Sequence, residues 1–339
     1  MWFNQAMATR LSIVIVNWKT PELLAGCLES IYADTNASQF EIWVVDNDSN
    51  DGSVEMLRSR FPSVFVIANN SNLGFPRACN QAIPLSHAPY VVLLNPDTVV
   101  VENALSEMVD FLDKNPQCGA VGPRVNNPDG SLQLACRRSF PSPAAAFYRM
   151  TYLSKLFPTN PRFSTYNLTY ADPDAQLDVD VLSGACMMVR KTVIDQIGLL
   201  DEDIFMCGED VDWCWRIKKA GWRVIYLPTA VVFHYHGAST KLRPIGATRN
   251  LHTGMAIFYR KHLAPQYPAI FNACVYAAIW LRCLLFMVLY TVHSALRPRK
   301  VVSVIPAKQN ARTAAAITAG GISNPTERSG KPTEMASRR

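Results

Sequence analysis

Val91-Val92-Leu93-Leu94-Asn95-Pro96-Asp97-Thr98 is the stretch whose reading decides the fold of this chain. An uncharged apolar run ends abruptly in Asn-Pro-Asp, the pattern of a strand covered on both faces that delivers one carboxylate, Asp97, to its C-terminal edge. In open α/β sheets ligands bind beyond the carboxyl ends of the strands, so a polar cluster there is well placed to hold a cation and its phosphate ligand. Alone, the segment reads first as a strand and a turn, since Asn, Pro and Asp are all turn formers. The company it keeps changes that.

Upstream, residues 11–16 form a second β-branched run, with Asn17 in the loop at its end. A helix is expected from Pro21, where proline suits the first turn, through Leu24, Cys27, Leu28 and Ile31 at helical spacing. Residues 41–46 are another buried strand ending in an acid, Asp46, followed by a polar loop to Ser53 that caps the next helix. A short strand at 64–67 leads through Asn72, Gly74, Pro76 and Arg77 into a helix containing Asn80. Four strands alternating with helices predict a parallel sheet of the nucleotide-binding kind.

Downstream, a helix is expected over 102–114 and a strand over 118–122, closed by Pro123. Residues 124–176 are poor in pattern and read as loops and short helices over the sheet. Residues 178–185 end in Gly184-Ala185, small residues that let a ligand or another backbone approach closely. Glu209 and Asp210 open an amphipathic helix stopped by Gly221; acids there suit the helix dipole, and Asp212 is spaced to pair with Arg216. Two further strand-like runs cover 222–228 and 231–237, the second carrying His234 and His236 before a glycine.

The chain has 339 residues, enough for one large domain or two, and a net charge of +6. Much of that charge sits beyond residue 296, which argues against a basic nucleic-acid face, so no nucleic-acid partner is expected. The nine cysteines are scattered, without Cys-x-x-Cys pairs or zinc spacing, as in reduced thiols of a cytosolic protein. The first residues carry no signal-peptide pattern.

These segments together resemble the second sequence family of inverting nucleotide-sugar glycosyltransferases, and within it the rhamnosyltransferase-like branch. The resemblance rests on residues 12–18, 45–53, 72–75, 94–98, 184–185, 205–212 and 234–239, and covers roughly 10–263. It implies the GT-A fold, an α/β, mostly parallel mixed sheet flanked by helices, with a C-terminal helical extension. It implies that Asp46 recognises the donor's pyrimidine base and that Asp97, last residue of a metal-binding Asp-x-Asp motif, binds a divalent cation, Mg²⁺ or Mn²⁺, with His234 completing the site. It implies Asp210 as general base, with Glu209 contacting the sugar or orienting Asp210. Asn17, Asn72, Gly74, Arg77, Asn95, Gly184 and Ala185 fall around the nucleotide sugar. The sequence departs from the family pattern at Asn95, where the first metal acid is expected, and at Pro76, where relatives carry a small flexible residue. The expected activity is transfer of a sugar, foremost L-rhamnose from dTDP-L-rhamnose, to a growing, lipid-linked cell-surface glycan. The alternatives are another donor sugar (galactofuranosyl, glucosyl or N-acetylglucosaminyl) or a non-catalytic nucleotide-sugar-binding scaffold.

Three regions are expected: a catalytic domain over 1–263, a hydrophobic helical segment over 264–300 and a disordered basic tail over 301–339. Residues 269–292 are long enough to span a bilayer. Arg282 near the middle opposes a simple span, at roughly 2.5–3.5 kcal/mol on insertion scales. Interfacial attachment to a membrane surface at the cytoplasmic face is therefore expected before a pair of core helices or a true span, with Arg297, Arg299 and Lys300 facing anionic lipid.

Overall fold

The computed structural model describes residues 9–34, 36, 39–235 and 244–296. Expectations placed on residues 236–239, on the basic residues from Arg297 and on the 301–339 tail lie outside the described residues.

The first half alternates strictly. β1 (Leu11–Asn17), α1 (Pro21–Tyr32), β2 (Phe40–Asp46), α2 (Ser53–Arg60), β3 (Phe65–Ala68), α3 (Phe75–Ala82) and β4 (Tyr90–Leu94) follow one another, all four strands parallel. Every residue of β1 and β4 is buried, which is why both read as unbroken apolar runs. On α1, Leu24, Cys27, Leu28 and Ile31 recur on one face and are fully buried. Truncating Leu28 to Ala would cost about 2–5 kcal/mol.

The second half is β5 (Thr98–Val100), α4 (Ala104–Lys114), β6 (Cys118–Asn126), β7 (Arg137–Arg138), α5 (Pro143–Met150), α6 (Leu153–Leu156), β8 (Leu177–Asp178), β9 (Val181–Leu182), β10 (Cys186–Arg190), α7 (Lys191–Ile197), α8 (Glu209–Lys219), β11 (Arg223–His234), α9 (Pro244–Phe258) and α10 (Ala269–Leu296). The main sheet runs β3-β2-β1-β4-β10-β6-β11-β5, with β8 on β11. β10 enters antiparallel between β4 and β6, so the sheet is mixed.

Three features differ from expectation. Pro123 does not close its strand: β6 continues to Asn126, because Pro123 pairs with Leu227 at the edge of an irregularity where a missing N–H is tolerated. Similarly, 222–228 and 231–237 are not two runs. β11 is one strand from Arg223 to His234, and the register shift between Leu227 and Val231 lets Pro228 pass. Finally, the Asn-Pro-Asp turn is followed by β5, which pairs antiparallel with β11 and sets Thr98 opposite His234.

The C-terminal helices are tied to the rest by charge. His262 Nε2 lies 2.6 Å from Asp212 Oδ1, and Asp212 also accepts from Arg216 at 2.8 Å, the pairing its spacing predicts. Lys261 Nζ reaches Asp201 and Asp203 at 2.6 and 2.8 Å. Gly254 of α9 lies against the 207–208 backbone, where a Cβ would come within 2.0 Å of the Cys207 carbonyl oxygen. Among the described residues one helix, Ala269–Ala295, is long and apolar enough to cross a membrane, with a mean hydropathy of 2.0. Most of its large apolar side chains are exposed, among them Leu281, Leu284, Leu285 and Leu289. Arg282 turns away from that surface toward α9, donating to His252 Nε2 at 3.1 Å with its guanidinium over Phe286.

Candidate active site

The strand tips converge because the strands are in register. Asn17 and Asp46 are paired residues at the ends of β1 and β2. Asn17 Nδ2 donates to Asp46 Oδ2 at 2.8 Å, and the Ser49 N–H donates to Asp46 Oδ1 at 3.0 Å. Asp46 is thus a buried carboxylate held by two bonds, each oxygen retaining acceptor capacity.

The next loop is stapled by Asn47, whose Nδ2 donates to the Gly74 carbonyl at 3.0 Å and to Asn72 Oδ1 at 3.3 Å. Its Oδ1 accepts from Leu73 N and Asn69 Nδ2. Gly74 has φ 85°, and a Cβ there would sit 2.5 Å from the Phe205 carbonyl oxygen. That same oxygen accepts the Phe75 N–H at 2.8 Å. Pro76 occupies the first turn of α3, where its missing N–H leaves no bond unmade. Arg77 is exposed and faces Glu202 at 3.7 Å.

At the tip of β4, the Asn95 N–H bonds to the Ala185 carbonyl and the Tyr235 N–H to that of Asp97. With Thr98 opposite His234, these bonds bring His234 Nε2 to 3.1 Å from Asp97 Oδ1 and 3.3 Å from Asn95 Nδ2. Both the aspartate and the histidine are nearly buried. His234 Nδ1 lies 2.9 Å from Gln133 Oε1, while Gln133 Nε2 donates to the His234 carbonyl at 2.7 Å. The amide is thereby oriented at both ends and Nδ1 carries the hydrogen. Nε2 is then the ring nitrogen directed at Asp97, so both side chains can ligate one cation. Asp97 and His234 are two donors rather than a three-ligand cage; among the described residues no cluster of three His, Cys, Asp or Glu is set to hold a metal. Two donors fit a hard divalent ion that takes its remaining ligands from phosphate oxygens and water.

The third group lies across the 183–185 turn. Asp210, in the first turn of α8, is ion-paired with Arg138 of β7, and its Oδ2 also accepts from Gly184 N at 3.4 Å. Its Oδ1 accepts from Val211 N at 2.8 Å. Glu209 is buried, and no bond to the protein satisfies its Oε2. Burial, then the neighbouring Asp210 charge, pushes its carboxyl up to about 8. Arg138 is the positive charge set against Asp210.

The structure thus gathers Asn95, Asp97, His234, Gly184, Ala185, Glu209 and Asp210 around one turn and joins Asn17 to Asp46 at the neighbouring strand tips. Arg77 stays with Glu202. Sequence reading missed Asn47, Gln133 and Arg138. The only available signal for Arg138 was the Arg137-Arg138 pair in a region otherwise without pattern.

A family model described as "Glycosyltransferase like family 2" matches residues 9–253. The N-acetylglucosaminyl-diphospho-decaprenol L-rhamnosyltransferase of Mycobacterium tuberculosis is 30% identical over 263 residues, covering 74% of this chain and 84% of that protein. The low-salt glycan biosynthesis hexosyltransferase of Haloferax volcanii is 26% identical over 220 residues, 64% of each chain. Among solved structures, a mannosyltransferase from Pyrobaculum calidifontis in complex with GDP-Man and Mn²⁺ matches with a TM-score of 0.52 and 18% identity, over 92% of this chain and 81% of that one. The likeness is one of fold, the GT-A fold.

Proposed function

The chain belongs to glycosyltransferase family 2, in its rhamnosyltransferase-like branch, and from that premise we propose that it transfers L-rhamnose from dTDP-L-rhamnose to a hydroxyl of a growing, lipid-linked cell-surface glycan. The observation that carries the reading is the meeting of a carboxylate held by an arginine, Asp210 with Arg138, and a carboxylate–imidazole pair, Asp97 with His234, on either side of Gly184-Ala185. The choice of sugar and of acceptor draws on the Mycobacterium relative.

In this reading Asp46 accepts the imide hydrogen of the donor's pyrimidine. Asn47 and Gly74 hold the loop that carries Asn72 against the 205 backbone. Asp97 and His234 would hold Mg²⁺ or Mn²⁺, which when bound would supply positive charge to offset that of the diphosphate. Asp210 takes the proton of the acceptor hydroxyl; its Oδ1 accepts one bond from the protein, leaving room for that contact. Arg138 and Gly184 N hold Oδ2 and fix the orientation of the carboxylate. Glu209, its carboxyl raised by burial, lies beside it. One displacement inverts the anomeric centre, and no enzyme nucleophile is needed.

The catalytic part is assigned to residues 1–263, a hydrophobic helical segment to 264–300 and a basic tail to 301–339. The exposed apolar face of α10 lies against the cytoplasmic face of a membrane. Arg282 does not oppose this, because it is turned to His252 rather than to lipid.

The test is transfer from dTDP-L-rhamnose to a polyprenyl-diphosphate-linked N-acetylglucosamine, with Mn²⁺ and with chelator. Metal-dependent product supports the proposal. Folded protein that binds the donor and forms no product with this acceptor contradicts the acceptor assignment.

A further inference from the structure

The backbone enters the left-handed region twice just before Glu209 and Asp210. Cys207 has φ 69° and Gly208 φ 115°, and the two acids follow at once as the first turn of α8. A residue such as Cys207 keeps that conformation only where its surroundings enforce it, and such residues cluster at functional sites. Here the enforcement comes from the C-terminal segment.

α9 lies directly on the 207–208 joint. A Cβ on Gly254 would come within 2.0 Å of the Cys207 carbonyl oxygen, so the helix approaches this closely only because residue 254 has no side chain. α9 then runs into a π turn, Tyr259–Leu263, a rare geometry that recurs at functional sites. Two neighbouring residues of that turn reach different targets. Lys261 Nζ binds Asp201 and Asp203, in the loop leading to the joint. His262 Nε2 donates to Asp212 Oδ1 at 2.6 Å, within α8 itself.

Asp212 is buried, and its other oxygen accepts from Arg216 at 2.8 Å. Trp215, three residues on, packs against His262 and Phe258, with ring centroids 5.4 and 5.7 Å apart. Helix residues three apart share a face, whereas those two apart do not. Asp212 and Trp215 therefore mark the face of α8 that the π turn covers, and Asp210 lies on another, toward Arg138 and Gly184. The loop before the joint is also held by α3, where Phe75 N donates to the Phe205 carbonyl at 2.8 Å and Asn80 Nδ2 to that of Leu200 at 2.9 Å. Gly254, Lys261 and His262 all lie beyond residue 253, where the match to the family model ends.

Resting on Asp210 as the base, we infer that Gly254, Lys261 and His262 are positioning residues for it. They hold the 207–208 joint and the first turn of α8 in the setting that brings Asp210 to Arg138 and the Gly184 N–H. They act through the backbone and through Asp212, not by contact with substrate. A misplacement of about 1 Å at a reacting group costs about 10²-fold in rate. Loosening this hold therefore lowers turnover and leaves donor binding, which belongs to the strand tips, in place.

The test uses the full chain in detergent and two readouts, in the native protein and in Gly254→Ala, His262→Leu, His262→Gln and Lys261→Met. The first needs no substrate: hydrogen exchange of the 205–211 amides, with those of β2 as the control. We expect exchange at 205–211 to rise about tenfold or more in His262→Leu with β2 unchanged. It should return toward native in His262→Gln, whose amide can still donate to Asp212. The second readout is steady-state transfer, with turnover counted per donor-binding site so that unfolded protein does not enter. Turnover should fall about 10–100-fold in Gly254→Ala and His262→Leu, and less in Lys261→Met, with KM for the donor within about twofold of native. Unchanged exchange at 205–211 in His262→Leu overturns the inference. So does native turnover per site in that variant with only its melting temperature lowered, the mark of a purely structural bond. If His262→Leu is not recovered folded, Lys261→Met, which removes two ion pairs near the surface, decides by the same two readouts. Transfer that survives Asp210→Asn contradicts Asp210 as the base, and the exchange readout then judges the hold on the joint by itself.

Discussion

Arg138 of β7 donates to Asp210 of α8 across 72 residues of sequence, and both side chains are nearly buried. The arginine and the Gly184 N–H hold one carboxylate oxygen, Oδ2, and leave Oδ1 with a single bond, from Val211 N. If Asp210 is the base, Asp210→Asn keeps the shape and removes the proton acceptor. Transfer should fall about 10²–10⁴-fold with donor affinity unchanged. Turnover near that of the native enzyme would remove Asp210 from the mechanism.

Gln133 holds His234 by two bonds, one to the ring and one to the backbone. Residues that orient a metal-ligating histidine typically contribute 10–100-fold to metal affinity, so Gln133→Ala should weaken Mn²⁺ binding by about that factor. A Mn²⁺ titration of the nucleotide-bound protein, read by paramagnetic resonance, checks it. Unaltered affinity would mean that His234 does not touch the ion.

Glu209 gives a pH signature. Its folded value of about 8 lies above the ordinary carboxyl range, so the folded state holds a proton that the unfolded chain has released. Stability therefore falls as pH rises from the ordinary carboxyl range toward 8 and levels off above it. Glu209→Gln should flatten that slope, matching the native protein near pH 4.5 and melting higher than it at pH 8. Parallel stability curves for the two proteins would show that Glu209 is ionised in the fold.

Gly74→Ala introduces a Cβ 2.5 Å from the Phe205 carbonyl oxygen at a φ of 85°. Both the clash and the left-handed backbone oppose it, and we expect a loss of more than 1 kcal/mol in stability. Donor affinity should fall with it, since the same loop carries Asn72. A variant as stable as the native protein would mean that the loop shifts freely.

Leu284, Leu285 and Leu289 are all about half exposed on α10, at 55, 53 and 56%. Changing all three to Ser should abolish flotation with lipid vesicles while leaving the melting temperature within a few degrees. Persistent flotation would place the membrane contact elsewhere or show that there is none.

Much of the fold was legible because β1 and β4 are buried throughout and β2 over its last three residues, so they read as largely apolar runs ending in Asn17, the Asn-Pro-Asp turn and Asp46. The same signal fails for β5, which has three residues and exists only because β11 pairs with it. It also fails for β11, where Pro228 reads as a stop but is absorbed by the shift in register. Acids and histidines announce themselves by type, so Asp97, Asp210 and His234 could be named from sequence. Their partners could not. Gln133 is 101 residues from His234 and belongs to no motif, and Arg138 sits in a two-residue strand. Tertiary pairing alone selects them.

The central claim is a nucleotide-sugar site whose cation is held by Asp97 and His234. Thermal shift with dTDP-L-rhamnose, with and without Mn²⁺, on the native protein and on Asp97→Asn tests it most directly, since a ligand that binds only the folded state raises its melting temperature. The account predicts a rise with donor and Mn²⁺ together that is lost with chelator and in Asp97→Asn. A rise of the same size in chelator, or in Asp97→Asn, would contradict it.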